Sequence, residues 1–277
     1  MSPTHRQRIV VIGHGMVGHR FVQAAIERGL TETHDVVVLG EEPRPAYDRV
    51  ALTSYFAADS ADELSLLPGG EYDDPRVSLR LATVVSAIDP AARTVRLADG
   101  EVLAYDQLVL ATGAAPRTPF RIPSELAERC FTVNDLDDYR RLHGALNQPT
   151  RVAIIGAGLV GCEFANDLHA GGHQVTVIAP ESAPLPRLLP ERLGSALADT
   201  FQEAGIRLAL GRTLETLSQD ADNALTLQLD NGERHTVDII LFATGLAPRT
   251  QLAEAAGLSV SPSGIQVDRQ LRTNQPH

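Results

Sequence analysis

Lysine is absent from this 277-residue sequence, and all 24 residues in its Lys+Arg count are arginine. The absence excludes a protein Schiff base, a pyridoxal phosphate aldimine and the Gly-Lys-Ser/Thr phosphate loop. Cysteine occurs only at Cys130 and Cys162, too far apart for a C-x-x-C redox pair and too few for a disulfide framework or a four-cysteine metal site. This cysteine usage favours a reducing compartment.

Basic charge and long apolar runs are also scarce. The sequence has 35 carboxylates against 24 arginines, a formal net charge of -11, which disfavours nucleic acid as a main partner, although local arginine patches could attract an acidic protein. No apolar run approaches the roughly 18 residues of a membrane-spanning helix, and the N-terminus lacks the apolar stretch of a signal peptide. The nine histidines form no close ligand pattern. We therefore expect a cytoplasmic protein without a membrane partner or a metal site.

Length and composition indicate a folded chain of two domains. The 277 residues exceed an ordinary domain of about 100 to 200 residues. Hydrophobic residues make up 43% and charged residues 21%, and 22 glycines and 17 prolines indicate many turns. This composition excludes a fibrous or disordered protein.

Two stretches occur twice, in the same order. RIVVIGHGMVGHRF at 8–21 and RVAIIGAGLVGCEF at 151–164 share seven residues, and each is an apolar run followed by a glycine-rich turn. YDQLVLATGAAPRT at 105–118 and VDIILFATGLAPRT at 237–250 share eight residues. A tight-turn sequence precedes each ATG segment, Asp-Gly-Glu at 99–101 and Asn-Gly-Glu at 231–233. The duplication predicts two copies of one architecture.

Each copy is predicted to contain a strand, a glycine turn, a helix, a second strand, an antiparallel hairpin and a buried strand ending in ATG. We predict helices over 16–28 and 159–170 and second strands over 36–39 and 175–178, where β-branched runs are typical of a parallel sheet covered on both faces. Proline-containing stretches at 116–123 and 180–190 are predicted to be connections. The expected fold class is α/β, with two Rossmann-like three-layer dinucleotide-binding domains, each with a small antiparallel β-meander, the second inserted into the first.

A G-x-G-x-x-G turn between a strand and a helix is suited to binding a dinucleotide. The first glycine permits the tight turn, the second lets the backbone approach a pyrophosphate, and the third lets the helix pack close to the strand. The phosphates would lie at the helix N-terminus. Glycines that serve only a tight turn are the alternative for either motif alone. In the two copies these positions are Gly13, Gly15 and Gly18, and Gly156, Gly158 and Gly161.

A carboxylate after the second strand would accept hydrogen bonds from ribose hydroxyls. In the first copy the candidates are Glu41 and its neighbour Glu42, and either could instead be a solvated loop residue. In the second copy the strand-end position is Ala179, and Glu181 is displaced from it. No arginine falls between 179 and 185 to receive a 2′-phosphate, which favours NADH over NADPH, with Arg187 the nearest basic residue.

Two dinucleotide sites in one chain have a simple chemical use, namely hydride transfer from a nicotinamide to a flavin. No acid–base residue is required for that step, because hydride passes by positioning. Disulfide reductases also need a close cysteine pair, which is missing here. A buried small residue is the favoured interpretation of Cys162, with a thiol of lowered pKa as the alternative. The two sites together therefore predict a nicotinamide nucleotide at one and a flavin at the other.

The order of two G-x-G-x-x-G turns and two ATG segments resembles the two-dinucleotide FAD/NAD(P)-dependent pyridine nucleotide oxidoreductases over essentially the whole chain. Residues 134–180, NDLDDYRRLHGALNQPTRVAIIGAGLVGCEFANDLHAGGHQVTVIAP, are similar to bacterial rubredoxin reductases. The first part, with GHGMVGHRF and LGEEPRPAYDRVALTSYF, is more similar to the flavin module of the NAD(P)H nitrite reductase large subunit.

The resemblance also implies roles for single residues. It places Arg49 beside the flavin, Val85 near the adenine through its backbone, and Glu163 where the nicotinamide meets the flavin ring. A carboxylate in the first turn that only favours the helix N-terminus is the alternative for Glu163. His14 and His19 receive no role. The predicted cofactor-binding residues are Gly13, Gly15, Met16, Val17, Gly18, Glu41, Glu42, Arg49, Val85, Ala111, Thr112, Gly113, Gly156, Gly158, Leu159, Val160, Gly161, Glu163, Glu181, Thr244 and Gly245.

The activity that the resemblance implies is that of an FAD-dependent NADH oxidoreductase, with no catalytic acid or base. Electrons would pass from the flavin to a small redox protein of the rubredoxin or ferredoxin type, or to a downstream redox module. The alternatives are the diaphorase module of an assimilatory nitrite reductase and a nucleotide-binding fragment that cannot pass electrons. We expect an FAD domain over 1–116 and 246–277 and an NAD(H) domain over 117–245.

The end of the sequence carries one further expectation. In the families that the chain resembles, a segment similar to QLRTN at 270–274 is followed by a Y-A-x-G-D segment that contacts the flavin. A C-terminal interface domain comes after it. The present sequence stops at His277. We therefore expect either a truncated chain or a weakened flavin site, and we predict that the chain retains FAD poorly.

Overall fold

The computed structural model describes residues 6–52, 64–118, 120–219 and 224–277. The TSYF residues of the YDRVALTSYF motif, at 53–56, lie outside these ranges, as does position 119 of the predicted 116–123 connection. The described residues form two compact units. The first contains 6–49, 64–115 and 247–277, and the second contains 50–52 and the described part of 116–246.

The first unit is built on a sheet of four parallel strands in the order β3-β2-β1-β7. A separate three-stranded antiparallel meander has the order β4-β5-β6. In chain order these elements are β1 (Gln7–Ile12), α1 (Met16–Glu27), β2 (His34–Leu39), β3 (Val77–Arg80), β4 (Val85–Asp89), β5 (Thr94–Leu97), β6 (Val102–Ala104) and β7 (Gln107–Leu110).

Alternating side chains of β1 give this unit three layers. Ile12 belongs to a buried cluster that includes Leu97 of the meander, whereas its neighbour Val11 is buried with Val22 of α1. Successive residues of a strand point to opposite faces, so an apolar run can pack against a meander on one side and a helix on the other. The four-stranded sheet is therefore the middle layer.

The second unit repeats this plan around five parallel strands in the order β12-β11-β10-β16-β9. Its meander has the order β13-β14-β15. After the connecting strand β8 (Ala114–Pro116), the elements are β9 (Cys130–Phe131), α2 (Leu136–Ala145), β10 (Arg151–Ile155), α3 (Leu159–Ala170), β11 (Gln174–Ala179), α4 (Glu191–Ala204), β12 (Arg207–Leu210), β13 (Leu214–Gln219), β14 (Leu225–Leu229), β15 (Arg234–Val237) and β16 (Ile239–Phe242).

The layering of the second unit follows the same alternation. Ile154 of β10 is buried with Phe164 of α3, and the next residue, Ile155, is buried with Leu227 of the meander. The chain then returns to the first unit. The returning elements are β17 (Leu246–Pro248), which pairs with β8, followed by α5 (Gln251–Ala255), β18 (Val260–Ser261) and β19 (Gly264–Ile265).

Identical residues of the sequence repeat make identical contacts. The amide of Arg8 at the start of β1 donates to the carboxylate of Asp106 at 2.7 Å, and the amide of Arg151 at the start of β10 donates to that of Asp238 at 2.8 Å. Each aspartate immediately precedes the strand that pairs with the first strand of its copy. The aspartates thus help to set the register of the two central strands.

The predicted elements are confirmed, with small differences at their ends. Helix α3 has the predicted bounds, α1 ends one residue early at Glu27, and β2 and β11 are longer than predicted. The two Gly-containing hairpins form, with Gly100 and Gly232 at φ of +95° and +82°. The described parts of 180–190 contain no helix or strand. The expected α/β fold class with two three-layer units is confirmed.

Candidate functional site

The first glycine turn joins β1 to α1 at the carboxyl edge of the four-stranded sheet. Gly13 has a φ of +106°, and a Cβ on it would lie 2.1 Å from the carbonyl oxygen of Ala111. A Cβ on Gly18 would lie 2.0 Å from the carbonyl oxygen of Gly13. On Gly15, by contrast, the one atom of the described residues within 4 Å of a Cβ would be Nε of Arg49, at 4.0 Å. The outer glycines are required by close packing against backbone carbonyls, while the middle one borders space that the described residues leave open, as the pyrophosphate-binding turn of a dinucleotide fold requires.

The second glycine turn is built in the same way between β10 and α3. Gly156 has a φ of +117°, and a Cβ on it would lie 2.4 Å from the carbonyl oxygen of Ala243. A Cβ on Gly161 would lie 2.1 Å from the carbonyl oxygen of Gly156. Nothing in the described residues lies within 4 Å of a Cβ on Gly158. Both turns therefore have the open middle position that dinucleotide binding requires.

The helices that follow these turns leave their N-terminal amides available. Neither α1 nor α3 has a side-chain cap or an acidic residue in its first turn. Val17 is 73% exposed, and Leu159 and Val160 are about half exposed. Unpaired amides at a helix N-terminus attract anions, so both helix ends suit phosphate groups.

Glu42 is occupied by the protein itself. Its Oε2 accepts hydrogen bonds from Arg44 at 3.1 Å and from the Tyr47 hydroxyl at 3.0 Å, and its Oε1 accepts one from Arg49. This carboxylate is about one quarter exposed. Of the two neighbouring candidates, Glu42 has the structural environment of a residue that orders its own loop.

Glu41 is 63% exposed and pairs with Arg249, whose Nη1 lies 2.7 Å from its Oε2. Arg249 is also bound to the ATG segment of the first unit, since its carbonyl accepts from the Thr112 hydroxyl at 2.9 Å and its amide donates to the carbonyl of Gly113 at 3.0 Å. Arg249 thus brings together Glu41, Thr112 and Gly113, three predicted site residues from distant parts of the sequence.

The second unit contains the equivalent contact. The amide of Arg117 donates to the carbonyl of Gly245 at 2.9 Å, and the Thr244 hydroxyl donates to the carbonyl of Arg117. Each ATG segment is therefore bound by the arginine of the other copy's A-P-R-T sequence. Sequence reasoning missed Arg249 and Arg117 as site residues, although the repeated A-P-R-T was the signal that could have found them.

Val85 is the first residue of β4, close in sequence to a segment that pairs with the end of β2. The amide of Gly40 donates to the carbonyl of Arg80 at 2.9 Å, and the amide of Thr83 donates to the carbonyl of Gly40 at 2.7 Å. These contacts hold the approach to Val85 at the carboxyl edge of the sheet, on which the first glycine turn also lies.

At the second site Ala179 is buried and Glu181 is exposed. The loop that follows is anchored to the glycine turn, because Leu185, at a φ of +55°, donates its amide to the carbonyl of Ala157 at 2.8 Å. Arg187 is exposed in the same loop. The structure thus brings Glu181 to the sheet edge that carries the second glycine turn.

Glu163 is the fifth residue of α3, beyond the first turn, so its position does not fit the alternative of a first-turn carboxylate. Its side chain makes no hydrogen bond or ion pair with the described residues. Burial, and then the charge of Asp167, raise the pKa of Glu163 above its usual range. A carboxylate without a cation partner is available to accept hydrogen bonds from a ligand.

Both cysteines are buried, and the pKa of each thiol is raised. Burial, followed by the charge of Glu163, raises the pKa of Cys162 to about 11, and burial raises that of Cys130 to about 11. The Sγ of Cys162 donates to the carbonyl of Ala157 at 3.5 Å. A thiol of lowered pKa is therefore the wrong interpretation of Cys162.

His14 and His19, which received no role from the sequence, are buried and contact the same hydroxyl. Nε2 of His14 lies 3.0 Å and Nδ1 of His19 lies 2.9 Å from the hydroxyl oxygen of Tyr72. Burial, and then His19, lower the pKa of His14 to about 4. Since His14 lies between the first two glycines, this cluster ties the first turn to Tyr72. No sequence signal connects Tyr72 to that turn.

The described residues contain no group of three or more histidine, cysteine or acidic side chains arranged to hold a metal ion. Within the same ranges, none of the helices combines the length and apolar character needed to cross a membrane.

Comparisons with known proteins agree with this geometry. The family model described as pyridine nucleotide-disulphide oxidoreductase matches residues 7–277. The chain is 38% identical over 272 residues to the nitrite reductase [NAD(P)H] large subunit of Klebsiella oxytoca, covering 97% of this chain and 28% of that protein. It is 37% identical over 274 residues to the rubredoxin-NAD(+) reductase of Acinetobacter baylyi, covering 96% and 69%.

Among solved structures, the covalent putidaredoxin reductase–putidaredoxin complex superposes with a TM-score of 0.88 at 26% identity, covering 98% of this chain and 66% of that one. The chain thus spans less than a third of the nitrite reductase subunit and about two thirds of the reductases. The resemblance to both families is confirmed. Because the family model matches nearly all of the sequence, the chain belongs to the pyridine nucleotide-disulphide oxidoreductase family.

Proposed function

We propose that this chain is a cytoplasmic flavoprotein that takes hydride from NADH onto FAD and delivers electrons to a small redox protein. The observation that carries the proposal is the matching pair of glycine turns. In each turn a Cβ on either outer glycine would overlap a backbone carbonyl, whereas the middle glycine borders open space. One such turn would support a simple nucleotide-binding domain. Two in one chain support transfer between two dinucleotides.

FAD is assigned to residues 1–116 and 246–277, and NAD(H) to residues 117–245. In the first part, the amides at the start of α1 would bind the pyrophosphate, and exposed Glu41 would accept from the ribose hydroxyls. Arg49, beside Gly15 and bonded to Glu42, would offset negative charge of the cofactor. Thr112 and Gly113, held by Arg249, would form the adjoining wall.

In the second part, the amides at the start of α3 would bind the pyrophosphate of the nicotinamide nucleotide, and Glu181 would accept from its ribose. Glu163 would accept from the carboxamide, for which its unpaired carboxylate is suited. Thr244 and Gly245 belong to the second ATG segment and are held by Arg117, so they correspond to Thr112 and Gly113 of the first part.

Bound together, the two cofactors supply hydride transfer and single-electron release. The protein's own residues bind and orient them, and none needs to act as acid or base. The buried, protonated thiols of Cys130 and Cys162 supply no thiolate for disulfide chemistry.

A small redox protein is proposed as the acceptor because relatives carry such partners in their names, rubredoxin in one case and putidaredoxin in another. The second candidate is a diaphorase module that feeds a larger nitrite reductase. Its support is the 38% identity to the Klebsiella oxytoca subunit over 97% of this chain.

NADH-dependent reduction of a dye, measured while FAD is titrated into the purified chain, tests the proposal together with a visible absorption spectrum. We expect flavin absorbance that NADH bleaches and dye reduction that saturates with FAD. Binding of both nucleotides without dye reduction would support a nucleotide-binding fragment instead. Rubredoxin as the electron acceptor distinguishes the two candidate functions. Its reduction would support the reductase of a small redox protein over the diaphorase module.

A further inference from the structure

An arginine from a distant part of the sequence lies at the second dinucleotide site. Strands β11 and β12 are parallel neighbours, with Ala179 opposite Leu210 at their carboxyl ends. The two residues after β12 bind the chain that leaves β11. Arg212 donates its amide to the carbonyl of Ala179 at 2.9 Å, and Gly211 donates its amide to the carbonyl of Glu181 at 2.8 Å. Arg212 is thereby fixed beside the position after the second strand that contacts the adenosine ribose in such folds.

The guanidinium of Arg212 lies near the carboxyl ends of β11 and β12, and it has donors available to bind a ligand. Its Nη1 donates to the carbonyl of Gly211 at 3.1 Å, so the side chain folds back toward the residue that contacts Glu181. The residue is exposed, and it forms no ion pair with a carboxylate of the described residues. An exposed arginine with free donors is suited to a phosphate group.

Ala179, the residue at the end of β11, carries no charge that would repel a 2′-phosphate. Sites that select NADH place a carboxylate there to accept from the 2′-hydroxyl, and such a carboxylate repels a 2′-phosphate. Here that position is the buried apolar Ala179. The acidic side chain of the loop, Glu181, is exposed and can turn toward solvent.

We infer that Arg212 is a specificity-determining residue of the second site that binds the 2′-phosphate of NADPH, so that the site accepts NADPH as well as NADH. The inference rests on the proposed function, because it needs a nicotinamide nucleotide at this turn. It differs from the preference for NADH drawn from the lack of arginine between 179 and 185. That argument considered only residues near in sequence, whereas the neighbouring strand supplies the arginine.

Calorimetric titration of the full chain with adenosine 2′,5′-bisphosphate and with adenosine 5′-monophosphate tests Arg212 without any turnover. We expect Arg212→Ala to weaken binding of the 2′,5′-bisphosphate roughly tenfold, because one charge-assisted contact to phosphate is lost. Binding of the monophosphate should change less than about twofold, since it lacks the 2′-phosphate. NADPH and NADH, titrated in the same way, should show the same contrast.

Arg207→Ala is the matched control. Arg207 is an exposed arginine at the start of β12, on the order of 16 Å from Arg212 along the strand, so its removal lowers the net charge equally without touching the site. Arg207→Ala should leave both affinities unchanged. An equal loss in both variants would reveal only general charge attraction and would overturn the inference.

The remaining outcomes are distinct. Wild-type protein that binds NADH but not the 2′,5′-bisphosphate, or Arg212→Ala protein that binds it as well as wild type, would overturn the role of Arg212 and leave the proposed function intact. A loss seen with Arg187→Ala rather than with Arg212→Ala would also overturn it. Failure of the wild type to bind any adenine nucleotide would reject the proposed function.

Discussion

Nη1 of Arg249 lies 2.7 Å from Oε2 of Glu41, although 208 positions separate the two residues. Through the same arginine, Glu41 is connected to the Thr112-Gly113 segment after β7. The adjacent Glu42 instead binds three side chains of its own loop. Two neighbouring glutamates therefore have different tasks, which mutation can separate.

Glu41→Gln should weaken FAD binding roughly tenfold, because a carboxylate that accepts from ribose hydroxyls forms charge-assisted hydrogen bonds worth about 1.5 to 3 kcal/mol. Its melting temperature without FAD should change little, since Glu41 is mostly exposed. Quenching of flavin fluorescence measures the affinity. Glu42→Gln is the comparison, and it should lower the free energy of unfolding by about 1 to 2 kcal/mol. A destabilised Glu41→Gln protein with normal FAD affinity would contradict the assignment.

The glycine turns predict a second separation between folding and binding. Gly18→Ala should destabilise the first unit by about 3 kcal/mol or more, since its Cβ would overlap a backbone carbonyl that cannot move freely. Gly158→Ala should fold normally, because nothing described lies within 4 Å of its Cβ, yet lose affinity for NADH. Thermal melting and nucleotide titration check the two effects. Normal NADH binding by Gly158→Ala would show that the open space is not the binding position.

Glu163 predicts a pH-dependent stability. Burial raises its pKa in the folded state, so the folded protein binds its proton more tightly than the unfolded chain does. Stability contributed by this group is complete below the ordinary pKa of 4.5 and is lost as the pH rises through the raised value. Glu163→Gln should therefore gain in melting temperature relative to wild type on going from pH 4 to pH 7. A difference that shrinks with rising pH would contradict the assignment.

His14 predicts a pH dependence of stability opposite to that of Glu163. Its pKa is lowered to about 4 from the ordinary 6.5, so the stability it contributes is present above pH 6.5 and is lost as the pH falls toward 4. His14→Asn should show a shallower loss of melting temperature over that interval. Equal slopes for the variant and the wild type would show that another group controls the acid response.

Tyr72→Phe tests the hydroxyl that His14 and His19 share. Removing it leaves a buried ring nitrogen of each histidine without this partner, which costs about 1 to 3 kcal/mol per buried polar group. The loss should appear in chemical denaturation of the first unit. The double variant Tyr72→Phe/His14→Asn should lose less than the sum of the single losses, because both changes remove the same hydrogen bond.

The sequence by itself determined the architecture of each unit. A positive φ at Gly13 and Gly156, overlap-free packing at Gly18 and Gly161, and β-branched strands are local requirements, so they are visible as short repeated patterns. The bounds of α3 and both glycine hairpins follow from the same local rules. Strands β2 and β11 extend beyond their predicted bounds because neighbouring strands continue the pairing there, and α1 ends one residue earlier than predicted.

Tertiary structure decided which polar residues reach each turn. Arg249 meets Glu41, and Tyr72 meets His14, through contacts between segments that are far apart in the sequence. Arg212 meets Ala179 because β11 and β12 are parallel neighbours whose carboxyl ends lie side by side. Hydrogen bonds and ion pairs depend on distances of about 3 Å, which no pattern of neighbours in a sequence encodes. Local backbone requirements therefore specified the two glycine turns. The tertiary fold decided which side chains surround each turn.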